Sequence, residues 1–418
     1  MKTIVKKSSY LGITAKISIC LYSILITLLL TSSATAAIEA AKHTLEIGQS
    51  YTLSSKYLKE DRPYSVYLPE VCKTGGASAP CPTLYILDGE RTFHHASGVL
   101  QTMSSNTQIP EMIMVAIANT TDRTRDLTPT HSLDDGFGRE DPTRSTSGGG
   151  ERFLDFIEHE LMPDIESRYQ TLPYRLLVGH SFGGLITLHS FITRPELFQA
   201  HIAIDASLYW DNRQWLKQAE KTLRQNHQIK NRVYLSTAEY APKGEFDVSN
   251  RFERPGERFA YALNANASPH LHSAYQQFSG EDHGSVGLPS LYYGLKFVFD
   301  GYKDLPPQTE QQGLAAVKRY YQDYWAPYGI AIKPPSAVIS NLALLAEYSG
   351  RVDEAIAYHQ YIIEQNPASG IGHFGLGLIY AHKGETAKAV QSFNKALALE
   401  PKWSAYIQPW LQHLESIK

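Results

Sequence analysis

The sequence predicts an α/β fold on a mostly parallel sheet, followed by a small all-α repeat domain. Three observations carry this. Short apolar or alternating runs recur with helical stretches between them. One run ends in Gly179-His180-Ser181-Phe182-Gly183-Gly184. From Ser336 onward the chain turns alanine-rich and repeats with a 34-residue register. Strands alternating with helices imply crossover connections and parallel pairing.

The N-terminus carries Lys2, Lys6, Lys7 and Lys16, the apolar stretch 17–30, and then Ala34-Thr35-Ala36. That order reads as a signal peptide over residues 1–36, removed on export, with no stable membrane insertion afterwards and a periplasmic or secreted product. The apolar core is shorter than the roughly 20 residues of a membrane span. Losing those four lysines moves the formal net charge from −3 to −7, which argues against nucleic acid as a partner. Cys72 and Cys81 then remain. In an exported protein, two cysteines flanking a turn predict one disulfide. Neither has a Cys-x-x-Cys or His-Glu-x-x-His partner, so no metal and no cofactor is implied.

The strand runs are 64–68, 83–87, 112–118, 175–178, 201–204, 232–236 and 273–278. Between the third and fourth, Phe153, Ile157, Leu161 and Ile165 fall at helical spacing and predict a helix with one face buried on the sheet. Residues 122–150 are polar, rich in Asp, Arg, Thr and Gly, and free of apolar periodicity. This reads as a long surface loop of the kind that often carries function. In the C-terminal register, Leu342 aligns with Leu376, Gly350 with Gly384, Ala355 with Ala389 and Pro367 with Pro401. The pattern resembles tetratricopeptide repeats. The second copy has Leu376, Gly377, Tyr380, Ala389, Phe393, Ala396 and Pro401 at the expected offsets; the first departs at Ala346, His359 and Ile362. The expected division is a catalytic domain over 37–305, a helical linker over 306–335, and repeats over 336–418 with 404–418 as a capping helix. Residues 314–324 are expected to form a helix that docks the repeats on the catalytic domain. Such repeats bind a protein partner in their groove or serve as a structural appendage, and the sequence leaves both open.

The hexapeptide at 179–184 follows an apolar run and precedes a helix-like one, which is the strand, turn and helix of a nucleophile elbow. Ser181 is therefore the candidate nucleophile and the fold expected is that of the α/β-hydrolases. A serine hydroxyl needs a base, and the base needs an orienting carboxylate. His283, in the glycine-bounded turn after the last strand run, is the candidate base. His94, His95, His131, His180 and His272 read as surface or packing residues. Just past the run 232–236, Glu239 is the candidate acid, with Glu245 and Asp247 as alternatives on the same loop. Two backbone amides must face the developing oxyanion: Phe182 supplies one, and Gly89 or Glu90, after the run 83–87, supplies the other.

Five strings in order resemble the esterase D family. They are Tyr85-Ile86-Leu87-Asp88-Gly89-Glu90, the stretch 123–129 that begins Arg123-Thr124-Arg125, the hexapeptide itself, Ser207-Leu208-Tyr209-Trp210-Asp211-Asn212, and Gly280-Glu281-Asp282-His283-Gly284-Ser285. The enterobactin-type and bacillibactin-type siderophore esterases are the most similar members. The resemblance implies a serine esterase acting through an acyl-enzyme on a small-molecule ester, with a siderophore-like catecholate lactone as the first expectation. It also implies that Asp88 and Gly89 lie beside the oxyanion site, and that Trp210, Arg123 and Arg125 line the substrate pocket. The alternatives are a feruloyl or acetyl esterase acting on carbohydrate, an acyltransferase, and a non-catalytic interaction protein built around the repeats.

Overall fold

The computed structural model describes residues 43–416 apart from 74–79, 135–138, 240–253 and 267, so the expected leader and the alternative acids Glu245 and Asp247 lie outside the described residues. The chain divides into Met1–Glu46 and Ile47–Lys418, and every element below belongs to the second unit.

Eight strands make one sheet: β1 (Gln49–Ser55), β2 (Glu60–Tyr67), β3 (Cys81–Ile86), β4 (Ile113–Ile117), β5 (Thr171–His180), β6 (Ala200–Ile204), β7 (Asn231–Ala238) and β8 (Leu271–Phe278). The order across the sheet is β1-β2-β4-β3-β5-β6-β7-β8. Pairing is antiparallel between β1 and β2 and between β2 and β4, and parallel from β4 to β8. β3, β4 and β6 are buried at every position, which is why they read as mostly apolar runs, with Thr83 and His201 the polar exceptions. β1 escaped the sequence reading because it is an edge strand of mostly polar residues, exposed at most positions.

Topology places the functional crevice. After β3 the chain forms helix α1 (Gly89–Ser105) and returns as β4 on one side; after β5 it forms a helix over Phe182–Thr193 and returns as β6 on the other. The strand order thus reverses between β3 and β5, and their carboxyl ends open a cleft where such sheets bind ligands. Described parts of the polar stretch 122–150 border this end, Arg123 reaching His180 O and Thr130 O accepting from Trp210. It contains the short helix α2 (Arg123–Leu127), which makes the helix after β5 α3 (Phe182–Thr193). Phe153, Ile157, Leu161 and Ile165 are all buried against the sheet. Cys72 and Cys81 form a disulfide with Cα atoms 5.8 Å apart.

Helices α4 (Gly287–Val298) and α5 (Leu314–Trp325) lead to five further helices, α6 (Ser336–Tyr348), α7 (Val352–Gln365), α8 (Ile371–His382), α9 (Thr386–Leu399) and α10 (Ser404–Ser416). Gly350 and Gly384 end α6 and α8 with φ of +74° and +72°, the left-handed stop that glycine adopts without strain. One hydrophobic core runs from β3 and β5 through Phe299, Tyr321 and Trp325 to Ile339, Tyr358 and Ile379. Trp325 meets Tyr174 of β5 edge-on at 6.1 Å. Beside it, the buried Arg232 sits 5.2 Å from the Trp325 ring and donates to Val298 O at 2.9 Å and Tyr324 Oη at 2.8 Å. In the first repeat, His359 takes the place expected of a phenylalanine, and Gly375 makes room for it: a Cβ there would stand 2.1 Å from His359 Cε1. No described helix is long and apolar enough to cross a membrane.

Candidate active site

Ser181 stands between β5 and α3 with φ +62° and ψ −118°, a conformation that only a tightly determined turn imposes on a serine. The flanking glycines make the turn sterically feasible. A Cβ on Gly179 would lie 2.1 Å from Gly183 O, and one on Gly184 would lie 3.0 Å from Ala206 Cα. The Ser181 N–H donates to Ile204 O at 3.0 Å, and its carbonyl accepts from Leu185 N at 3.0 Å and Ser207 N at 3.1 Å. Its hydroxyl lies 3.3 Å from Ser207 Oγ.

His283 is carried by a tight turn after β8. Gly280 begins it at φ +82°, and the Asp282 carboxylate accepts from Gly284 N at 2.8 Å and Ser285 N at 2.9 Å. Those amides, Ser285 first, hold the Asp282 carboxyl below the usual carboxylate range. The buried Val286 anchors the far end of the turn. The His283 Nδ1 lies 2.6 Å from Asp205 Oδ2, and the Asp205 side chain is only 5 % exposed. The His283 ring packs on that of His180, with centroids 4.5 Å apart, so the imidazole rests against the residue immediately before Ser181. Burial first, and then the neighbouring His283, pushes the His180 pKa down to about 4, leaving that ring neutral near pH 7.

Here the structure departs from the sequence reading. The carboxylate on His283 is Asp205, not Glu239. Asp205 follows β6 directly at φ +41°, with its N–H on Ser236 O at 2.8 Å and its Oδ1 accepting from Ala238 N at 3.3 Å. Its carboxylate therefore fills the gap between the ends of β6 and β7. Glu239 is exposed just past β7, where its backbone N–H donates to Phe278 O at 3.1 Å. One signal was present in the sequence: Asp205 directly follows the apolar run Ile202-Ala203-Ile204, the next strand run after the hexapeptide. Chain order, serine then acid then histidine, is satisfied by either carboxylate and could not choose.

The other side of the cleft is made by two helix starts. Gly89 and Phe182 are the first residues of α1 and α3, and the first amides of a helix have no acceptor within it. Gly89 is pressed against β4, where a Cβ would lie 2.7 Å from Ala116 C. Glu90 is the second residue of α1, and its carboxylate accepts from Asn119 N at 3.0 Å and Asn119 Nδ2 at 2.9 Å. Asp88 caps α1 at φ +56°. Burial alone raises its pKa, but the Arg123 guanidinium and Asn119 outweigh this and hold the carboxyl below its ordinary range.

Of the residues that the family resemblance placed on the substrate pocket, Arg125 lies elsewhere. It binds Glu60 Oε1 at 2.7 Å and Asp126 Oδ1 at 2.7 Å, in a network with the buried Arg62 that pins the loop to β2. Trp210 is buried, donates to Thr130 O at 3.1 Å, and meets the Phe182 ring edge-on at 5.1 Å. It therefore forms a wall behind Phe182, the residue after Ser181. Arg144, which the sequence reading did not single out, lies 5.7 Å from the Phe182 ring and 5.4 Å from Trp210.

Among the described residues, His180, Asp205 and His283 lie close enough to share an ion, with ligand atoms within 4.8 Å. The short bond between two of them is the one an acid–base pair needs, and a hydroxyl on a strained turn beside a carboxylate-bound imidazole suits acyl transfer.

Residues 55–283 match the family model Esterase, described as "Putative esterase", and residues 340–403 match a tetratricopeptide repeat model. The chain is 28% identical over 284 residues to the siderophore triacetylfusarinine C esterase of Aspergillus fumigatus, covering 59% of this chain and 92% of that relative. It is 29% identical over 249 residues to the ferri-bacillibactin esterase BesA of Bacillus subtilis, covering 56% and 83%. Among solved structures it is similar to an IroE-like serine hydrolase from Shewanella oneidensis, with a TM-score of 0.65, 32% identity, and coverage of 75% of this chain and 99% of that one.

Proposed function

This chain belongs to the esterase family and is a carboxylic ester hydrolase, and from that premise we propose that it cleaves siderophore-like lactones through a serine-bound acyl intermediate. The observation that carries the reading is the 2.6 Å bond from His283 Nδ1 to Asp205 Oδ2, on an imidazole packed beside the strained turn that bears Ser181. With Nδ1 held by the carboxylate, the other ring nitrogen is the one that takes the hydroxyl proton. Ser181 Oγ attacks the ester carbonyl, and the amides of Phe182 and Gly89 receive the oxyanion. His283 then returns the proton to the leaving alkoxide, and water, deprotonated by the same imidazole, releases the acyl group.

The substrate class is supported by two relatives whose names specify siderophore esters. It is supported also by an aromatic and a guanidinium group together, Phe182 and Arg144, beside Ser181, which suit a planar, anionic ligand. Export from the cytoplasm is supported by the Cys72–Cys81 disulfide. The test is hydrolysis of a panel of catecholate trilactones, feruloyl esters and acetylated sugars, with Ser181→Ala as control. Preferred turnover of the trilactones, lost in Ser181→Ala, is expected. Preference for a sugar ester overturns the substrate class, and full activity of Ser181→Ala overturns the mechanism.

A further inference from the structure

We propose that the Asp88–Arg123 pair is a positioning device: it sets the two oxyanion-facing helix starts against each other and neutralises a buried carboxylate that would otherwise oppose the oxyanion. This rests on the serine-hydrolase reading above, and it replaces the pocket-lining role that the family resemblance implied for Arg123.

Helices α1 and α3 spring from different strands, so neither helix by itself fixes the spacing between Gly89 and Phe182. Asp88 touches both. Its left-handed backbone turns the chain into α1, and its Oδ2 stands 3.3 Å from where a Cβ on Gly183, the second residue of α3, would lie. Arg123 grips that carboxylate bidentately through its Nε–Nη2 edge, Nε to Oδ1 at 2.5 Å and Nη2 to Oδ2 at 2.9 Å, while Nη2 also reaches His180 O at 3.3 Å. The fork therefore ties the cap of α1 to the residue that precedes the nucleophile. Asn119, just beyond β4, closes the frame by donating from Nδ2 to Asp88 Oδ1 at 2.6 Å and to Glu90 Oε1 at 2.9 Å.

Charge makes the device necessary. A carboxylate at two helix N-termini competes for the same positive ends that should meet the oxyanion, and in a buried site an unpaired charge is felt strongly. With Arg123 in place the pair is close to neutral.

Two roles for Arg123 give different patterns in one experiment. In the full chain, kcat and KM are measured on p-nitrophenyl butyrate, an uncharged ester with no anion for an arginine to bind, for wild type, Asp88→Asn, Arg123→Met and the double variant Asp88→Asn/Arg123→Met. The rate of Ser181 labelling by a fluorophosphonate is read in parallel. Arg123→Met is expected to lower kcat by about 100-fold with KM changed less than about 2-fold, the scale of losing an oxyanion donor. The double variant is expected to recover about 10-fold over Arg123→Met, because removing the stranded charge relieves the oxyanion. A double variant no better than Arg123→Met, or a rise in KM at unchanged kcat, overturns the proposal. If Arg123→Met shows no cooperative thermal unfolding, Arg123→Lys decides: it keeps the charge without the fork, and a drop in kcat of about 10-fold is expected, whereas unchanged kcat overturns. Wild-type enzyme that neither hydrolyses the ester nor takes the label overturns both this inference and the mechanism beneath it; active wild type with the wrong variant pattern overturns only this one.

Discussion

Replacing Asp205 by Asn separates the two candidate acids. Asn keeps the size of the side chain and tolerates the positive φ at this position, so the backbone after β6 should hold. What it removes is the negative charge 2.6 Å from His283 Nδ1. As the imidazole takes the serine proton it becomes a cation, and two unit charges about 4 Å apart at an effective dielectric of about 20 attract by about 4 kcal/mol. At about 1.4 kcal/mol per decade that is about 10³-fold in kcat. The amide also lets its NH₂ group face Nδ1, which favours the wrong tautomer and pushes the loss toward about 10⁴-fold. The assay is kcat and KM on an activated ester, with thermal unfolding of each variant as control for folding. Glu239→Gln, measured alongside, should stay within about 2-fold of wild type, since Glu239 is exposed. Asp205→Asn within about 10-fold of wild type, or Glu239→Gln falling as far, would refute the assignment.

Arg232→Ala should lower unfolding free energy by about 2–4 kcal/mol, read from the denaturant midpoint, because it strips charged hydrogen bonds to Val298 O and Tyr324 Oη and a cation from among the Tyr324, Trp325 and Tyr328 rings. Gly375→Ala should cost about 1–3 kcal/mol by driving a methyl into the His359 ring; adding His359→Ala should make the double variant more stable than Gly375→Ala alone, and failure of that rescue would place the strain elsewhere. For Glu60, burial raises the pKa, but hydrogen bonds from Arg125 and Arg62 prevail and hold it at about 2 against an ordinary 4.5. A depressed carboxylate stabilises the fold above the ordinary value and loses that contribution as pH falls toward 2, up to about 3 kcal/mol in all. Stability measured between pH 4.5 and 2 should accordingly fall less steeply in Glu60→Gln; equal slopes would sink this account.

Much of the fold is legible in the chain because its signals are local. The buried parallel strands are runs such as Met114-Val115-Ala116, and the repeats are written twice at a fixed register. Ser181 announces itself because a strained strand-to-helix turn needs glycines at Gly179 and Gly184, a demand that short sequence can express. β1 was illegible because an edge strand has little apolar face to pattern. Arg144 gave no signal, since its approach to Phe182 and Trp210 depends on how a long loop returns over the sheet.

By itself, then, the sequence determined the class of fold, the elbow, the histidine turn and the existence of repeats, each a matter of neighbours in the chain. Only the tertiary structure decided which carboxylate serves His283, because Asp205 and Glu239 both follow strands and only the packing of β6 beside β5 and β7 brings one of them within 2.6 Å. It likewise decided that Arg123 and Asp88 face each other while Arg125 turns to Glu60. Those pairings join residues from 35 to 78 positions apart, and no local pattern encodes a contact closed by the whole sheet.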